Sequence, residues 1–378
     1  MAQLMTIRFC VAPTVPLTML LLWIHLPLFA QAWQNQEELW QVSATGSNAS
    51  LRGLELCLDG RTVWTCGSHS TVLRSNDLGQ TWQAVNPAGF EKLEFRSIKA
   101  WDSKRAIIAS AGTPAIVLST EDGGETWQEI LRRTEEKAFF DALRFFDSER
   151  GVLLSDPVDD KWLILTTSNG GRSWKEVARS ALPEVQVGEA AFAASNSALH
   201  VTPNGRAWVG TGGIVSKCSR VYYSSDFGET WHESLCPIPS GEASGIFSIA
   251  SASTGRLVAV GGDYRPDQDS PYTAAYSDDS GKTWHLSAVQ PNAFRSSVVV
   301  LTAASGSSDT DGPSEFWVAT GPSGTDISSD GEHWAIGSTQ GFHALASHPN
   351  GTLIAVGSEG RFGHTNAKVI QRFLKPRR

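Results

Sequence analysis

Seven short segments of the 378-residue chain can be aligned near the start of a strand, and six of them place an ionisable residue at the same position. The residues at this position are Arg52, Arg96, Asp141, Glu189, Phe247, Arg295 and His343. Six of the seven are ionisable, although ionisable residues are seldom buried in strands. Converging guanidinium groups bind carboxylate, sulfate or phosphate through paired hydrogen bonds. The pattern therefore predicts a site for an acidic ligand or an acidic partner.

Loops later in each repeat extend this predicted site. They are rich in small and polar residues, and we expect Asp263, Tyr264 and Ser323 to lie beside the charged residues. The alternative is that the charged residues pair with one another and fill the space without any ligand. The residues that would do so are Arg52, Arg96, Asp141, Glu189 and Arg295.

A repeated octapeptide positions these segments. Its form is Ser/Thr-x-Asp/Asn-x-Gly-x-Thr/Ser-Trp, and its tryptophans recur roughly every 45 to 57 residues. The copies are residues 75–82, 120–127, 167–174, 224–231 and 277–284, with a shorter one at 328–334. The acidic or amide side chain can accept hydrogen bonds from backbone N–H groups of its own turn, and the glycine can adopt positive φ. Four short strands per repeat predict the blade of an all-β propeller.

The number of blades follows from the ends of the chain. Six motifs are present, and two or three further strands follow the last of them. Residues 39–42 resemble the strand that ends each motif but have no preceding strands of their own. We expect this N-terminal strand to complete the last blade, which gives seven blades and removes the exposed sheet edges. Six blades is the alternative.

The acidic residues of the motif are predicted to be structural. The motif forms the turn between the third and fourth strands of a blade, on the face opposite the predicted ligand site. Catalysis is therefore not expected from the motif carboxylates, which are Asp77, Asp122, Asp226, Asp279 and Asp330.

The two ends of the chain have distinct compositions. Arg8 is the only charged residue before an apolar stretch at residues 11–30, and Ala30-Gln31-Ala32 has the form of a signal peptidase site. We expect residues 1–32 to be a signal peptide cleaved near Ala32, residues 33–370 to be one propeller, and 371–378 to be a basic tail. An uncleaved anchor is the alternative, although three prolines interrupt the apolar stretch. The predicted location is periplasmic or secreted, with no stable membrane span after cleavage.

Charge and cysteine content limit the possible partners. The formal net charge is −8, which is unfavourable for binding nucleic acid. Four cysteines remain after Cys10, and an oxidising compartment favours the disulfides Cys57–Cys66 and Cys218–Cys236. Four buried thiols are the alternative. No pattern typical of a metal site is present, so we expect no metal.

The residues of the repeat, such as Ser119-Thr120-Glu121-Asp122-Gly123-Gly124-Glu125-Thr126-Trp127, resemble those of the BNR/Asp-box propellers. Within these, residues 38–366 are similar to the plant photosystem II stability/assembly factor and its bacterial relatives. This resemblance implies seven blades, a role in assembly and no cofactor. Residues 210–213 are glycine-rich, but no helix follows them, so they are not a dinucleotide fingerprint.

The Asp box also resembles that of the sialidases. That resemblance implies an arginine triad for a carboxylate, formed by Arg96 and Arg295 with Arg220 or Arg52, and a tyrosine nucleophile with acidic partners. The candidate catalytic residues are Tyr264, Glu189, Asp141 and Asp156. The Arg-Ile-Pro start motif of sialidases is absent, and sialidases have six blades. Xyloglucanase-type glycosidases pair two propellers, which one propeller cannot reproduce.

Two function classes therefore remain open. In the first, a monomeric propeller binds a protein partner or a small anionic or carbohydrate ligand without chemistry. In the second, the same residues form a glycoside hydrolase site. Fold alone does not decide between them, and we favour binding or assembly.

Overall fold

The computed structural model describes residues 38–213, 218–265, 270–303 and 315–374. Every sheet in this part of the chain is a four-stranded antiparallel blade, and there are seven. The first strand among the described residues is β1 (Gln41–Ala44), which belongs to the last blade. The compact unit formed by the blades begins at Leu39.

The first three blades are regular. Blade one contains β2 (Leu51–Leu56), β3 (Val63–Gly67), β4 (Val72–Ser75) and β5 (Gln83–Ala84). Blade two contains β6 (Phe95–Ala100), β7 (Ala106–Ser110), β8 (Ala115–Thr120) and β9 (Gln128–Arg133). Blade three contains β10 (Phe140–Phe145), β11 (Gly151–Val158), β12 (Lys161–Thr167) and β13 (Lys175–Glu176). A short 3-10 helix, Arg179–Ala181, follows.

The remaining blades complete the ring. Blade four contains β14 (Leu199–Val201), β15 (Ala207–Gly210), β16 (Ser219–Ser224) and β17 (His232–Cys236). Blade five contains β18 (Ser244–Ser251), β19 (Leu257–Asp263), β20 (Ala274–Ser277) and β21 (His285–Leu286). Blade six contains β22 (Ser297–Thr302), β23 (Glu315–Gly321), β24 (Gly324–Ser328) and β25 (Trp334–Ser338). Blade seven contains β26 (Ala344–Ser347), β27 (Thr352–Val356), β28 (Arg361–Asn366) and β1, with a 3-10 helix at Ser358–Gly360.

The ring is closed as the sequence predicts. Strand β1 pairs antiparallel with β28, and Gln41 lies opposite His364. Trp40, just before β1, is buried and packs on Phe342 with ring centroids 4.9 Å apart. The first and last parts of the chain therefore share one sheet. The seven-blade prediction is confirmed, and the six-blade alternative is wrong.

The Asp-box turns have the geometry that their residue types predict. In the first box the Asp77 carboxylate accepts hydrogen bonds from the Thr81 N–H (2.8 Å) and the Thr81 hydroxyl (2.6 Å). Ser75 Oγ accepts from the Gly79 N–H at 2.8 Å. Gly79 has φ +82°, and a Cβ there would lie 2.4 Å from the Phe362 ring of the neighbouring blade. Glycine is therefore required both by backbone conformation and by the close packing of adjacent blades.

The two channel mouths can now be defined. The innermost strands begin at one face, which we call the upper face, and end at the other, the lower face. Because successive strands of a blade are antiparallel, the Asp-box turns after the third strand lie at the lower face. This agrees with the sequence interpretation, which places them opposite the predicted ligand site.

The C-terminal segment differs from the solvated tail predicted at residues 371–378. Helix α1 (Ala367–Leu374) continues directly from β28. Its Ala367 and Ile370 are buried in a cluster with Phe316 and Leu353 of blades six and seven. Apolar residues four apart along the helix explain the packing, which the nearby basic residues obscure in the sequence. Residues 375–378 lie outside the described residues, as does the predicted signal peptide.

The strand register does not fit the predicted disulfide Cys57–Cys66. Cys66 lies opposite Gly53 in the pair of strands β2 and β3. Cys57 lies about four residues further along this pair, where its N–H donates to the Thr62 carbonyl. That separation of about 13 Å exceeds the reach of a disulfide. Cys236 lies opposite Ser219, the residue next to Cys218, so the register is compatible with Cys218–Cys236, which stays a prediction. Burial raises the pKa of the Cys66 and Cys236 thiols, which keeps them protonated.

Candidate functional site

The predicted ring position is real in four blades. Arg52, Arg96, Asp141 and Phe247 each occupy a β-bulge in the innermost strand, at the point where the register with the second strand shifts. A bulge turns one side chain out of the regular alternation and is common beside functional sites. These four residues therefore hold equivalent positions around the upper mouth of the channel.

Blade four departs from this pattern and fills the channel. The sequence predicts an innermost strand at Glu189, but β14 begins ten residues later. Residues 193–198 are instead buried along the channel, and we call them the plug segment. They are mostly alanine, serine and asparagine, and Asn196 has φ +60°. Small side chains let the backbone enter the narrow channel, and asparagine tolerates the left-handed conformation.

Hydrogen bonds tie the plug segment to the other blades. The Asn196 amide donates to the Ile98 carbonyl at 3.0 Å, and its oxygen accepts from the Leu143 N–H at 2.8 Å. The Ser197 hydroxyl bonds to Ser248 Oγ at 2.7 Å, and Ser195 donates to the Ser296 carbonyl at 2.7 Å. The plug segment therefore contacts blades two, three, five and six. The alternative in which charged side chains fill the channel by mutual pairing is wrong, because main chain and small polar side chains fill it.

Two arginines remain at the upper mouth. Arg52 donates to the Ala194 carbonyl at 3.3 Å, and Arg96 donates to the Ala193 carbonyl at 3.4 Å. Arg96 also pairs with Glu94 at 2.9 Å, while Arg52 has no carboxylate partner among the described residues. Burial and the neighbouring Arg96 charge lower the pKa of Arg52 to about 10, and Glu94 only partly offsets this. The two guanidinium groups are thus close enough to repel each other and would both gain from an anion.

His343 lies among these arginines, together with a third one. Burial and the charges of Arg52, Arg361 and Arg96 lower the pKa of His343 to about 3, so its imidazole is neutral at physiological pH. Arg361 donates to the Gly341 carbonyl at 3.1 Å. Arg361 is absent from the predicted ring because it is the first residue of β28 and does not belong to an innermost strand. We call Arg52, Arg96 and Arg361 the arginine cluster.

A buried pair of carboxyl groups adjoins the arginine cluster. Asp141 is fully buried, and neither of its carboxylate oxygens has a hydrogen-bond partner. The nearby Asp156 N–H donates to the Phe139 carbonyl instead. Burial and Asp156 raise the pKa of Asp141 well above its usual range, against the effect of Arg96. Burial also raises the pKa of Asp156 to about 6, against the Ala191 N–H bond at 3.0 Å. Asp156 lines a cavity of about 740 Å³, together with Thr113 and with residues of the segments 136–139 and 185–190.

Aromatic residues form the other side of the upper mouth. Phe192 stacks on Phe247 with centroids 3.9 Å apart, and Phe294 meets Phe247 edge to face at 4.7 Å. Tyr264, which is 52% exposed, also meets the Phe247 ring edge to face at 6.2 Å. The structure therefore brings Tyr264 to the mouth, but against apolar rings and not against a carboxylate.

Two other predicted site residues serve the interior or a surface turn. The Glu189 carboxylate accepts hydrogen bonds from Arg220, Tyr222, Thr211 and the Gln186 N–H, and Glu189 is only 4% exposed. Its position within blade four, not at the channel, explains why the predicted alignment fails there. Asp263 pairs with Arg265 in an exposed turn.

Arg295 is likewise held away from the mouth. Its Nε donates to the buried Asp326 carboxylate at 2.6 Å, and Nη1 donates to Ser323 Oγ at 3.2 Å. Both Arg295 and Asp326 are about 1% exposed. Asp326 carries no sequence signal beyond being a charged residue within an otherwise buried strand. Arg295 and Ser323 therefore support the packing of blade six.

Of the candidate catalytic groups, Asp156 and Glu189 line one cavity, and Asp141 adjoins Asp156. Glu189 is fully occupied by donors, Asp141 is sealed from solvent, and Tyr264 packs on phenylalanine. Two of the predicted triad arginines, Arg220 and Arg295, are in buried ion pairs. The part of the chain that the structure describes contains no cluster of histidine, cysteine and acidic residues that could hold a metal ion. That part also has no helix with the length and hydropathy of a membrane span.

Comparisons with known proteins agree with this architecture. The family described as photosynthesis system II assembly factor YCF48 matches residues 32–135, and the BNR/Asp-box repeat matches residues 222–233 and 275–286. No curated protein matches the chain.

Several solved structures share the fold. YCF48 bound to D1 peptide has 16% identity and a TM-score of 0.59, over 88% of this chain and 96% of that chain. YCF48 from Cyanidioschyzon merolae has 14% identity and a TM-score of 0.59, over 87% and 99%. The GH74 xyloglucanase from Xanthomonas campestris has 15% identity and a TM-score of 0.56, and 87% of this chain matches only 54% of that enzyme. The chain is a BNR-repeat β-propeller that resembles the photosystem II assembly factor YCF48.

Proposed function

We propose that this protein is a binding module of the assembly-factor kind, and that its upper mouth recognises carboxylate groups of a polypeptide partner. The observation that carries the proposal is the arginine cluster. Three guanidinium groups surround a neutral histidine, and Glu94 is the one carboxylate paired with any of them among the described residues. An incoming carboxylate would relieve their mutual repulsion and form charge-assisted hydrogen bonds.

The plug segment favours a polypeptide over a small molecule that enters the channel. Because residues 193–198 close the channel directly beneath the arginine cluster, the binding surface is shallow. The exposed Tyr264 and the partly exposed Phe192 extend that surface with aromatic area, which is typical of protein interfaces. An acidic peptide with an apolar residue fits this combination of charge and aromatic surface.

The likeness to YCF48 supports a protein partner. One of the similar solved structures is YCF48 with a bound D1 peptide, so a propeller of this form can bind a polypeptide. The identity of 16% means that the partner is not carried over to this chain. The glycoside hydrolase alternative is less well supported, since the Glu189 carboxylate is occupied by hydrogen-bond donors and Tyr264 packs on Phe247.

We also propose that the protein acts outside the cytoplasm, after export and cleavage near Ala32. The apolar stretch at residues 11–30 and the Ala-Gln-Ala sequence support this location. The buried Cys57, Cys66 and Cys236 are compatible with it, since burial shields thiols from oxidants. N-terminal sequencing of the exported protein would identify the cleavage site, and a chain retaining residues 1–32 would contradict the proposal.

The binding proposal is tested with labelled peptides and fluorescence anisotropy. An acidic peptide that contains phenylalanine is compared with the same peptide whose carboxylates are converted to amides. We expect Arg52→Gln, Arg96→Gln and Arg361→Gln each to weaken binding of the acidic peptide by about tenfold, as loss of one charged hydrogen bond implies. Affinity should also fall as salt concentration rises.

The matched control is Arg132→Gln. Arg132 lies on the outermost strand of blade two and pairs with Glu129, so its loss should leave binding unchanged. Equal binding of the acidic and amide peptides, or indifference to all three arginine cluster variants, would overturn the proposal. A Tyr264→Ala variant measures the aromatic contribution separately.

A further inference from the structure

The lower mouth of the channel contains a second cavity, of about 330 Å³, that the proposed peptide site does not use. Ser197 of the plug segment lines its inner end. The cavity is therefore a blind pocket that opens at the lower face and does not connect to the upper mouth. Its volume lies at the small end of the range for small-molecule sites.

One wall of this pocket is charged. The second-to-last residues of the innermost strands of blades one to four all line the cavity; they are Glu55, Lys99, Arg144 and His200. Lys99 forms an ion pair with Glu55, so these two charges compensate each other. Arg144 donates through Nε to the Leu199 carbonyl at 3.3 Å, and no carboxylate pairs with it in the described part of the chain.

The remaining groups on this wall leave the Arg144 charge uncompensated. His200 Nε2 lies 2.8 Å from Ser251 Oγ, and burial together with the Arg144 charge lowers the pKa of His200 to about 3. His200 is thus a neutral hydrogen-bonding group at physiological pH. Burial lowers the pKa of Arg144, and Glu55 only partly opposes this effect. The pocket therefore has one excess positive charge in a poorly hydrated place, where an anion binds well.

The opposite wall is apolar. Blades five to seven contribute Ile249, Val299, Val300 and Leu345 to the lining. Val299 and Val300 are only partly buried by their own neighbours, so they present apolar surface to the cavity. A ligand that satisfied both walls would have an anionic end and a hydrocarbon end.

We infer that this pocket binds a small monocarboxylate with a short apolar body. The carboxylate would accept paired hydrogen bonds from the terminal nitrogens of Arg144. The hydrocarbon body would lie against Val299 and Val300, where its removal from water adds affinity. Inorganic phosphate shares the charge but has no apolar body, so it satisfies one wall alone.

The test is calorimetric titration of the purified chain with butyrate, hexanoate and octanoate, and separately with inorganic phosphate. Each added methylene should tighten binding by about three- to fourfold until the pocket is full. Arg144→Gln should weaken hexanoate binding by about tenfold or more, and Arg144→Lys by less, because lysine keeps the charge without the paired donors.

Two further variants make the test decisive. Arg61→Gln removes an exposed arginine from the same lower face but outside the cavity, and it should leave binding unchanged. Val300→Phe narrows the apolar wall and should weaken octanoate more than butyrate, even if Arg144→Gln folds poorly. The inference is wrong if no carboxylate binds, if phosphate binds as tightly as hexanoate, or if affinity is indifferent to both chain length and Arg144. The peptide-binding result at the upper mouth is independent of these outcomes.

Discussion

The lower rim and the channel axis are built from the same seven blades, but only the rim repeats one arrangement of hydrogen bonds. At the rim, six turns repeat one arrangement: the Ser or Thr oxygen that opens each box accepts a glycine N–H at 2.8 to 3.0 Å. Even the shortened sixth box keeps it, with His333 Nδ1 lying 2.9 Å from Asp330 in place of a threonine hydroxyl. Along the axis, no two blades contribute the same set of side chains.

This difference separates what holds the ring together from what gives it specificity. Each rim turn satisfies its own polar groups, so it needs nothing from the other blades except packing. The axis is asymmetric because blade four inserts the plug segment, and every other inner strand must adapt to it. The charged residues of the predicted ring consequently fall into two groups. Arg295 and Glu189 are buried in ion pairs, while the arginine cluster stays at the surface.

The largest effect is expected where an axis charge is buried. Arg295→Leu leaves the Asp326 carboxylate buried without its partner, and the free energy of unfolding should fall by about 3 to 5 kcal/mol at pH 7. Burial already raises the pKa of Asp326 despite the Arg295 charge. The loss should therefore shrink in acid, where the unpaired carboxyl becomes protonated. Urea unfolding at pH 7 and at about pH 4.5 measures both effects.

Arg96→Gln is the matched control for that variant. The Arg96–Glu94 pair is about 30% exposed on both sides, so its loss should cost less than about 1 kcal/mol. Combining Arg295→Leu with Asp326→Leu should recover most of the stability. If Arg96→Gln and Arg295→Leu destabilise equally, the distinction between buried and surface charges on the axis is wrong.

The plug segment should give the next largest effect. Asn196→Ala removes two buried hydrogen bonds and leaves the Leu143 N–H and the Ile98 carbonyl without partners, which should cost about 2 to 4 kcal/mol. Asn204, in the exposed turn before β15, is the control, and Asn204→Ala should cost less than about 1 kcal/mol. Equal denaturation midpoints for the two variants would show that the plug segment does not hold the blades together.

A gain in stability is expected at Asp141. The pKa of Asp141 is raised in the folded state. Between the ordinary carboxyl pKa and this raised value, the native state binds more protons than the unfolded state. Stability therefore falls as pH rises through that range. Asp141→Asn removes this dependence. Unfolding at about pH 8 should show a gain of about 1 to 2 kcal/mol, and at about pH 4 almost none. A loss at pH 8 would mean that the Arg96 charge outweighs burial.

The sequence predicts the rim well and the axis poorly, for a physical reason. The Asp box is local, since its hydrogen bonds join residues at most four apart, so eight residues contain all the information. Closure by β1 is also predictable, because residues 39–42 repeat the pattern of a known strand. By contrast, Arg295 pairs with an aspartate 31 residues away in the sequence. Glu189 pairs with an arginine that is also 31 residues away. No local pattern encodes such pairs.

The site was predictable in part. Arg52 and Arg96 share one register position, and His343, from the aligned segment of blade seven, lies beside them. Arg361 does not share that position, because it begins a different strand, β28. The alignment failed at Glu189 because residues 193–198 have no charged or aromatic residue to mark them, and small residues are as typical of a loop as of a channel plug. Asp141 was correctly placed, but its missing hydrogen-bond partners could be seen only in the fold.

The smallest effect is expected at a single rim turn, and its pH dependence should have the opposite sign to that of Asp141. Although partial burial opposes it, hydrogen bonds from the Thr230 hydroxyl and N–H lower the pKa of Asp226. The stabilisation is therefore present above the ordinary aspartate pKa and is lost as pH falls through the lowered value. Asp226→Asn should cost about 0.5 kcal/mol at pH 7, because the site is largely solvent-exposed, and less as pH falls from about 5 to about 3. Thermal unfolding across that range, beside Asp141→Asn, compares rim and axis directly. Two pH profiles of the same sign would show that the two regions do not differ in how they hold charge.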